Sequence, residues 1–325
     1  MSIKDVEVRV LSLAVSSSVD LEKNPMRYRA VWAVVCISVI LLVSSCSSPV
    51  QEVREESSEP ITAILGALER EITLLEDELT ETQEQRIEGI RFVSGKLSSK
   101  RVVIAFTGIG KVNAAMTTTL LIEHFKPNKV IFTGIAGAVN QQLQPGDIVI
   151  AEKTAHHDMG VLWPEGLYHK GVNNRLDGWE NPVFFNTDER LLRLAERAAE
   201  QVEFGSIQAI TGQRTPKVIK GVVVTGDAFI ASTDKCIELH KKLNADAVEM
   251  EGAAVAQLCY QRQIGYLVIR SISDNADEGA VLDKQTFYIM AAKNSACLVA
   301  ELVGLLGAEL PPGKSGGSEK IRDSK

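Results

Sequence analysis

The chain predicts an α/β domain with a largely parallel or mixed sheet. Short apolar, β-branched runs alternate with helical patterns from residue 61 to residue 306, and no stretch repeats. Three late runs, Val223–Ile230, Ala247–Gly252 and Val268–Asp274, end abruptly in charged or small residues. A buried strand has this appearance where its C-terminal end reaches a site.

Taken in order, Ile61–Leu65 reads as a strand, Gly66–Ala67 as a turn and Glu69–Gln85 as a charged helix. Arg91–Val93 and Arg101–Phe106 read as strands, the second so apolar that a central place is expected. Thr107–Lys111 turns the chain into a helix over Val112–Phe125. Lys129–Phe132 is the next buried strand, closed by Thr133-Gly-Ile-Ala-Gly-Ala138, and Pro145-Gly-Asp147 turns into a strand over Ile148–Glu152. Residues 156–186 carry Trp and Tyr rings among Gly and Asn without a clear period. They read as a long loop suited to a lid or a partner-facing insertion. Thr187–Val202 has an amphipathic helical pattern. Helices over Ser232–Leu243 and Gly252–Arg262 separate the three late strands, and Asp283–Leu306 is a last long helix.

The two ends of the chain read differently. Residues 26–46 combine Met-Arg-Tyr-Arg, an apolar run from Ala30 to Val43 and small residues before a cysteine, which is the layout of a secretory signal. The run falls short of the roughly 20 apolar residues of a membrane span. Val43-Ser-Ser-Cys46 resembles a bacterial lipobox, with Cys46 as the lipidated first residue of the mature protein. On this reading residues 1–25 precede the natural start at Met26, 26–45 are signal, 46–59 an acidic tether and 60–308 the folded domain, and the Pro-, Gly-, Ser- and Lys-rich 309–325 form a disordered tail. The expected location is the bacterial cell envelope, outer-membrane or periplasm-facing, since Ser47 and Ser48 follow the cysteine.

Of 325 residues, 45% are hydrophobic and 24% charged, as in an ordinary globular core. A net charge of −7 argues against a nucleic-acid surface. Five cysteines without a CxxC pair, and histidines without ligand spacing, point to neither a metal nor a redox site. Cys236, Cys259 and Cys297 read as buried thiols.

Asp227, Glu249, Glu251, Arg270 and Asp274 stand at the strand ends, where ligands bind in open α/β sheets. If Val248-Glu-Met-Glu251 is extended, Glu249 and Glu251 point one way and Met250 the other, a pair of acids suited to sugar hydroxyls. Asp274 lies beside Ser273 and Arg270, so burial can keep it protonated or Arg270 can hold it ionised. Phe229 can present a ring to a flat base. Gly108-Ile-Gly110-Lys111 before a helix is a weak dinucleotide signal: Ala114 stands where a third glycine belongs. The residues by themselves describe a small polar ligand with a planar part.

Gly66-Ala-Leu-Glu-Arg-Glu71, Thr107–Asn113, Thr133-Gly-Ile-Ala-Gly137, Gly146-Asp147, Thr225-Gly-Asp-Ala-Phe-Ile230, Val248–Glu251 and Arg270-Ser-Ile-Ser-Asp274 occur in that order. Together they resemble the 5′-methylthioadenosine/S-adenosylhomocysteine nucleosidases of the nucleoside phosphorylase superfamily, over roughly residues 61–306. The resemblance implies a three-layer α/β sandwich with a central twisted mixed sheet flanked by helices, commonly a homodimer. It also implies hydrolysis of the N-glycosidic bond of 5′-substituted adenosines without metal or cofactor. It makes Glu71 the base that activates water, Asp274 the acid at adenine N7 with Ser273 helping, and Arg270 the residue orienting the water or Glu71. Glu251 binds the ribose hydroxyls, Glu249 supports that site and Met250 packs on the sugar. Phe229 stacks on adenine while the Ile230 backbone reads its edge.

There are departures. Ile135 stands in a turn where the family often has Ser, and Lys284 where an aromatic often lines the 5′ pocket, although Phe287 is nearby. Two other readings remain beside hydrolysis: a phosphorolytic relative, and a non-catalytic nucleoside receptor or adhesin on the cell surface.

Overall fold

The structure, a computed structural model, describes residues 59–209 and 212–308, with backbone alone at 208–209, 212 and 282–286. The signal segment, Cys46, nearly all of the tether and the tail 309–325 lie outside the described residues, as does the side chain of Lys284.

A sheet of ten strands forms the middle layer. Its open arm contains β1 (Thr62–Gly66), β2 (Thr80–Ile87), β3 (Ile90–Leu97) and β4 (Lys100–Phe106). The rest is β5 (Lys129–Ala138), β6 (Ile148–His156), β12 (Val218–Thr225), β13 (Ala247–Glu249) and β14 (Gly265–Asp274), with β9 (Phe184–Asn186) beside β6. The order is β13-β12-β6-β14-β5-β1-β4-β3-β2, and β13 also pairs with β5, so β5, β13, β12, β6 and β14 close on themselves. Parallel and antiparallel neighbours both occur, so the sheet is mixed.

The central strands read as unbroken apolar runs because both faces are covered. Ala63 and Leu65 of β1 join one core cluster and Ile64 the other; Val103 and Ala105 of β4 oppose Val102 and Ile104 in the same way. Helices α2 (Lys111–Phe125) and α5 (Gly252–Gln261) cover the first face through Ala114, Leu121, Val255 and Cys259. Helices α1 (Glu69–Asp77), α3 (Glu189–Gln201) and α6 (Ala280–Leu305) cover the second through Ile72, Leu75, Leu194 and Leu302. Between them, α4 (Thr233–Leu243) packs Cys236, Leu239 and Leu243 on the closed end of the sheet. The three-layer mixed α/β sandwich is the expected one.

Several local expectations are corrected. The charged helix stops at Asp77, and its second half is the exposed edge strand β2. Residues 80–86 contain no apolar side chain, so a helix there would have no face to bury. The two-residue turn Glu88–Gly89, with φ of 49° and 84°, folds the segment back on β3. Thr133–Ala138 does not close a strand but continues β5, bending it toward β13. Residues 156–186 are structured: β7 (Gly160–Trp163) and β8 (Gly166–His169) form a hairpin, Asn173 bridges Glu180, and β9 joins the sheet. A second small hairpin, β10 (Ile207–Ala209) with β11 (Gly212–Arg214), was not anticipated. Cys236 and Cys259 are buried, whereas Cys297 is exposed, because a helix as long as α6 cannot bury every face.

Candidate active site

A cavity opens at the strand ends. Eight of the residues singled out in the sequence line it: Glu71, Ile135, Phe229, Glu249, Met250, Glu251, Ser273 and Asp274. Arg270 is fully buried behind that wall. Ile230 is not in the wall and packs against the α4 cluster, and Phe287 is half-buried on α6 away from the lining. Asp227 is not in the lining either; it is half-exposed, with its carboxylate accepting from the Lys111 N–H at 2.8 Å.

Glu71 is placed by α1. It shares the inward face with Ile72 and Leu75, which anchor the helix, and so reaches the cavity from a predominantly charged segment. Its carboxylate accepts from the Leu68 N–H at 2.8 Å and the Ile135 N–H at 3.1 Å, while only 2% of the residue is exposed. Burial raises its pKa above the ordinary value; the Arg270 charge and the backbone N–H groups oppose this without cancelling it. Arg270 and Glu71 both crowd Gly134, where a Cβ would lie 1.9 Å from an Arg270 nitrogen and 2.9 Å from Glu71 Oε1. Only glycine fits there.

Asp274 ends β14. The register against β5 shifts between Ile272 and Asp274, and such an irregularity re-aims side chains. Ser273 and Asp274, which would alternate in a regular strand, therefore both reach the cavity. The Ser273 hydroxyl donates to Asp274 Oδ2 at 2.7 Å, and the Ala276 N–H donates to Oδ1 at 2.9 Å.

The expected alternation of Glu249, Met250 and Glu251 is corrected. β13 ends at Glu249 and Glu251 sits at the start of α5, so the chain turns and all three side chains line the same cavity. Glu249 accepts from the N–H groups of Gly252 at 2.8 Å and Glu251 at 3.1 Å, from the Thr225 hydroxyl, and from Arg270. It thus sits at the positive end of α5. Glu251 accepts from the Gly110 N–H at 2.8 Å and lies 3.8 Å from Arg270. One guanidinium does not balance Glu71, Glu249 and Glu251. Burial, then Glu249, pushes Glu251 up to about 7. The guanidinium also stacks over Phe132, 4.2 Å from its ring centre, and donates to the Thr133 carbonyl at 3.2 Å.

Ala67, Leu68, Ile109, Ala136, Gly137 and Val248 also line the cavity and were not singled out. Ile109 could have been found, since it stands inside the Gly108–Gly110 turn. That turn is neither a dinucleotide loop nor mere packing: it supplies a wall residue and an N–H to Glu251.

The wall thus holds four carboxyls, those of Glu71 and Glu251 with raised pKa values, and an aromatic ring. The family model of the phosphorylase superfamily matches residues 61–304. The chain belongs to that superfamily. It is 36% identical over 242 residues to the 5′-methylthioadenosine/S-adenosylhomocysteine nucleosidase of Bacillus thuringiensis strain Al Hakam, covering 74% of this chain and 97% of that one. The corresponding Neisseria meningitidis enzyme, solved with methylthio-immucillin-A, superposes with a TM-score of 0.66 at 36% identity, over 76% of this chain and 99% of that one. Futalosine hydrolase of Helicobacter pylori superposes with a TM-score of 0.64 at 31% identity, over 76% and 99%.

Proposed function

We propose that this superfamily member hydrolyses the N-glycosidic bond of 5′-substituted adenosines, methylthioadenosine and S-adenosylhomocysteine among them, and releases adenine. The observation that carries the reading is that Glu71 and Asp274, brought in by α1 and β14, face one cavity with the Glu249–Glu251 turn and Phe229. The names of the superfamily relatives support the same substrate class.

The chemistry asks for these groups. Departure of adenine leaves positive charge on the sugar, which nearby carboxylates stabilise. The base leaves readily only when N7 receives a proton, and Asp274 is the acid that delivers it, held in place by Ser273 and the Ala276 N–H. Glu71 takes the proton of the attacking water. A base is most effective when its pKa lies near the working pH, and burial moves Glu71 in that direction. Glu251 receives the ribose hydroxyls, Met250 contacts the sugar, and Phe229 stacks on adenine beside Ile230. Glu249 neutralises Arg270, and Arg270 fixes Glu71.

The cavity wall favours water over phosphate as nucleophile. Among the described residues, its charged side chains are all carboxylates, and Arg270 behind them is engaged by Glu249 and Thr133. The test is to incubate purified protein with methylthioadenosine, S-adenosylhomocysteine, 5′-deoxyadenosine, adenosine and futalosine, with and without phosphate. Phosphate-independent adenine release is expected. Strict dependence on phosphate would make the protein a phosphorylase, and no release from any substrate would leave a nucleoside-binding protein.

The location and assembly belong to the same proposal. The Val43–Cys46 lipobox supports a lipid anchor in the bacterial cell envelope, and Cys46→Ser should move the protein from the membrane to the soluble fraction. The exposed Val112 and Met116 of α2 support the homodimer that the family resemblance implies. Sedimentation should give twice the chain mass.

A further inference from the structure

Next to the cavity-lining residues Ile109 and Phe229 stands a set of charges that the glycosidic chemistry does not use. Asp158 lies just past β6, Lys111 opens α2, and Asp227 follows β12, two residues before Phe229. The Lys111 ammonium is 2.6 Å from Asp158 Oδ1 and 3.6 Å from Asp227 Oδ2. The Asp227 N–H donates to Asp158 Oδ2 at 3.0 Å, and the Lys111 N–H donates back to Asp227 Oδ1 at 2.8 Å. One residue earlier, the Gly110 N–H holds Glu251 at 2.8 Å. A continuous path therefore runs from the Phe229 loop through Asp227, Asp158 and Lys111 to the ribose carboxylate. His157 braces its base: its N–H donates to Thr225 O at 2.8 Å, and its ring covers Gly226, where a Cβ would come within 2.3 Å of it.

An isolated exposed ion pair contributes little, because water competes for both charges. This network differs in kind. The Lys111 side chain is only 19% exposed and that of Asp158 33%, and two of the bonds are made by backbone N–H groups. Backbone bonds fix the path of a loop, not merely the end of a side chain. Burial disfavours the Asp158 charge, yet Lys111 and the Asp227 N–H outweigh it and hold its pKa below the ordinary value.

We propose that Asp158, acting with Lys111, is a positioning residue that holds the Phe229 loop at the cavity, so that the adenine slot is formed before the nucleoside arrives. The proposal rests on the nucleosidase reading for its substrate, and on the Phe229 loop alone for its mechanism. A preformed slot spares the ordering cost at binding. Stacking on adenine is worth about as much before as during bond cleavage, so its loss should appear in KM rather than kcat.

The test is a double-mutant cycle on Asp158 and Phe229. Asp158→Ala is expected to raise KM for methylthioadenosine, and the calorimetric Kd for adenine, by about tenfold with kcat within about threefold. Asp158→Asn, which keeps an acceptor for the Asp227 N–H, should fall between. In a Phe229→Ala background, Asp158→Ala should add less than about twofold, because the ring it positions is gone. An equal effect in both backgrounds, or a fall in kcat at unchanged KM, overturns the proposal. Should Asp158→Ala fail to fold, Lys111→Met is read in its place with the same expectations. If the wild type binds adenine but cleaves nothing, the nucleosidase reading falls and the cycle is read from Kd. If it does neither, both fall.

Discussion

The two ends of the sheet carry the same pair of residue types in opposite circumstances. On the open arm, Arg91 meets Glu84 across β2 and β3 at 2.9 Å, with the Glu84 side chain about half exposed. At the closed end, Arg270 meets Glu249 with both side chains all but sealed from water. On the arm, Arg91 lowers the Glu84 pKa, as expected of a pair in high dielectric. At the closed end three buried carboxylates share one cation, and burial raises both Glu71 and Glu251. A salt bridge is thus a surface detail in one place and the frame of a reaction site in the other. Desolvation makes the difference.

Substitutions can test this contrast. The largest effect should come from the reacting groups. Asp274→Asn and Glu71→Gln are each expected to lower kcat for adenine release by about 10²–10⁴-fold while leaving the thermal midpoint near that of the wild type. Near-normal turnover in either variant would remove that residue from the chemistry. Next comes the buried pair: Glu249→Ala removes the acceptor that holds Arg270, the Thr225 hydroxyl and the Gly252 N–H, and should cost about 3–5 kcal/mol in chemical denaturation. A loss no greater than that of a surface mutant would erase the distinction between the two ends.

Glu251→Gln is subtler and depends on pH. The folded-state pKa is raised from 4.5 to about 7, so between those values the native protein holds a proton that the unfolded chain gives up. Stability associated with this group is present below the lower value and lost as pH rises through the upper one. The variant should therefore gain in thermal midpoint relative to the wild type at pH 8, and that gain should shrink toward pH 5. A pH-independent difference would mean that Glu251 does not titrate there. The smallest effect belongs to the arm: Glu84→Ala should move the midpoint by no more than about 2 °C and leave KM and kcat unchanged.

Much of this was legible in the residues. The alternation of apolar runs and helical patterns is enough for an α/β domain with covered central strands, because a strand with both faces covered must be apolar throughout, as Ala63–Leu65 and Val102–Ala105 are; the three-layer sandwich came with the family resemblance. Glu249, Glu251 and Asp274 could be named for a related reason, as acids that close apolar strands, whereas Glu71, on a helix, was named only through the family resemblance. The failures are local and share a cause. The Thr80–Ile87 segment looked helical by its charge, and only pairing with β3 makes it a strand. Glu249, Met250 and Glu251 were expected to alternate, but the turn into α5 points all three into the cavity.

The α/β class and the residue types at the strand ends were readable from burial and short-range pattern, and the layered sandwich from the order of the family's motifs. Tertiary structure alone decided which charges are desolvated together. Glu71 and Arg270 lie far apart in the chain and meet only because β1 and β14 both flank β5. Asp158 reaches the Phe229 loop because β6 pairs with β12. A carboxylate's pKa depends on its neighbours in space and on the water it has lost, and neither is a property of its place in the chain.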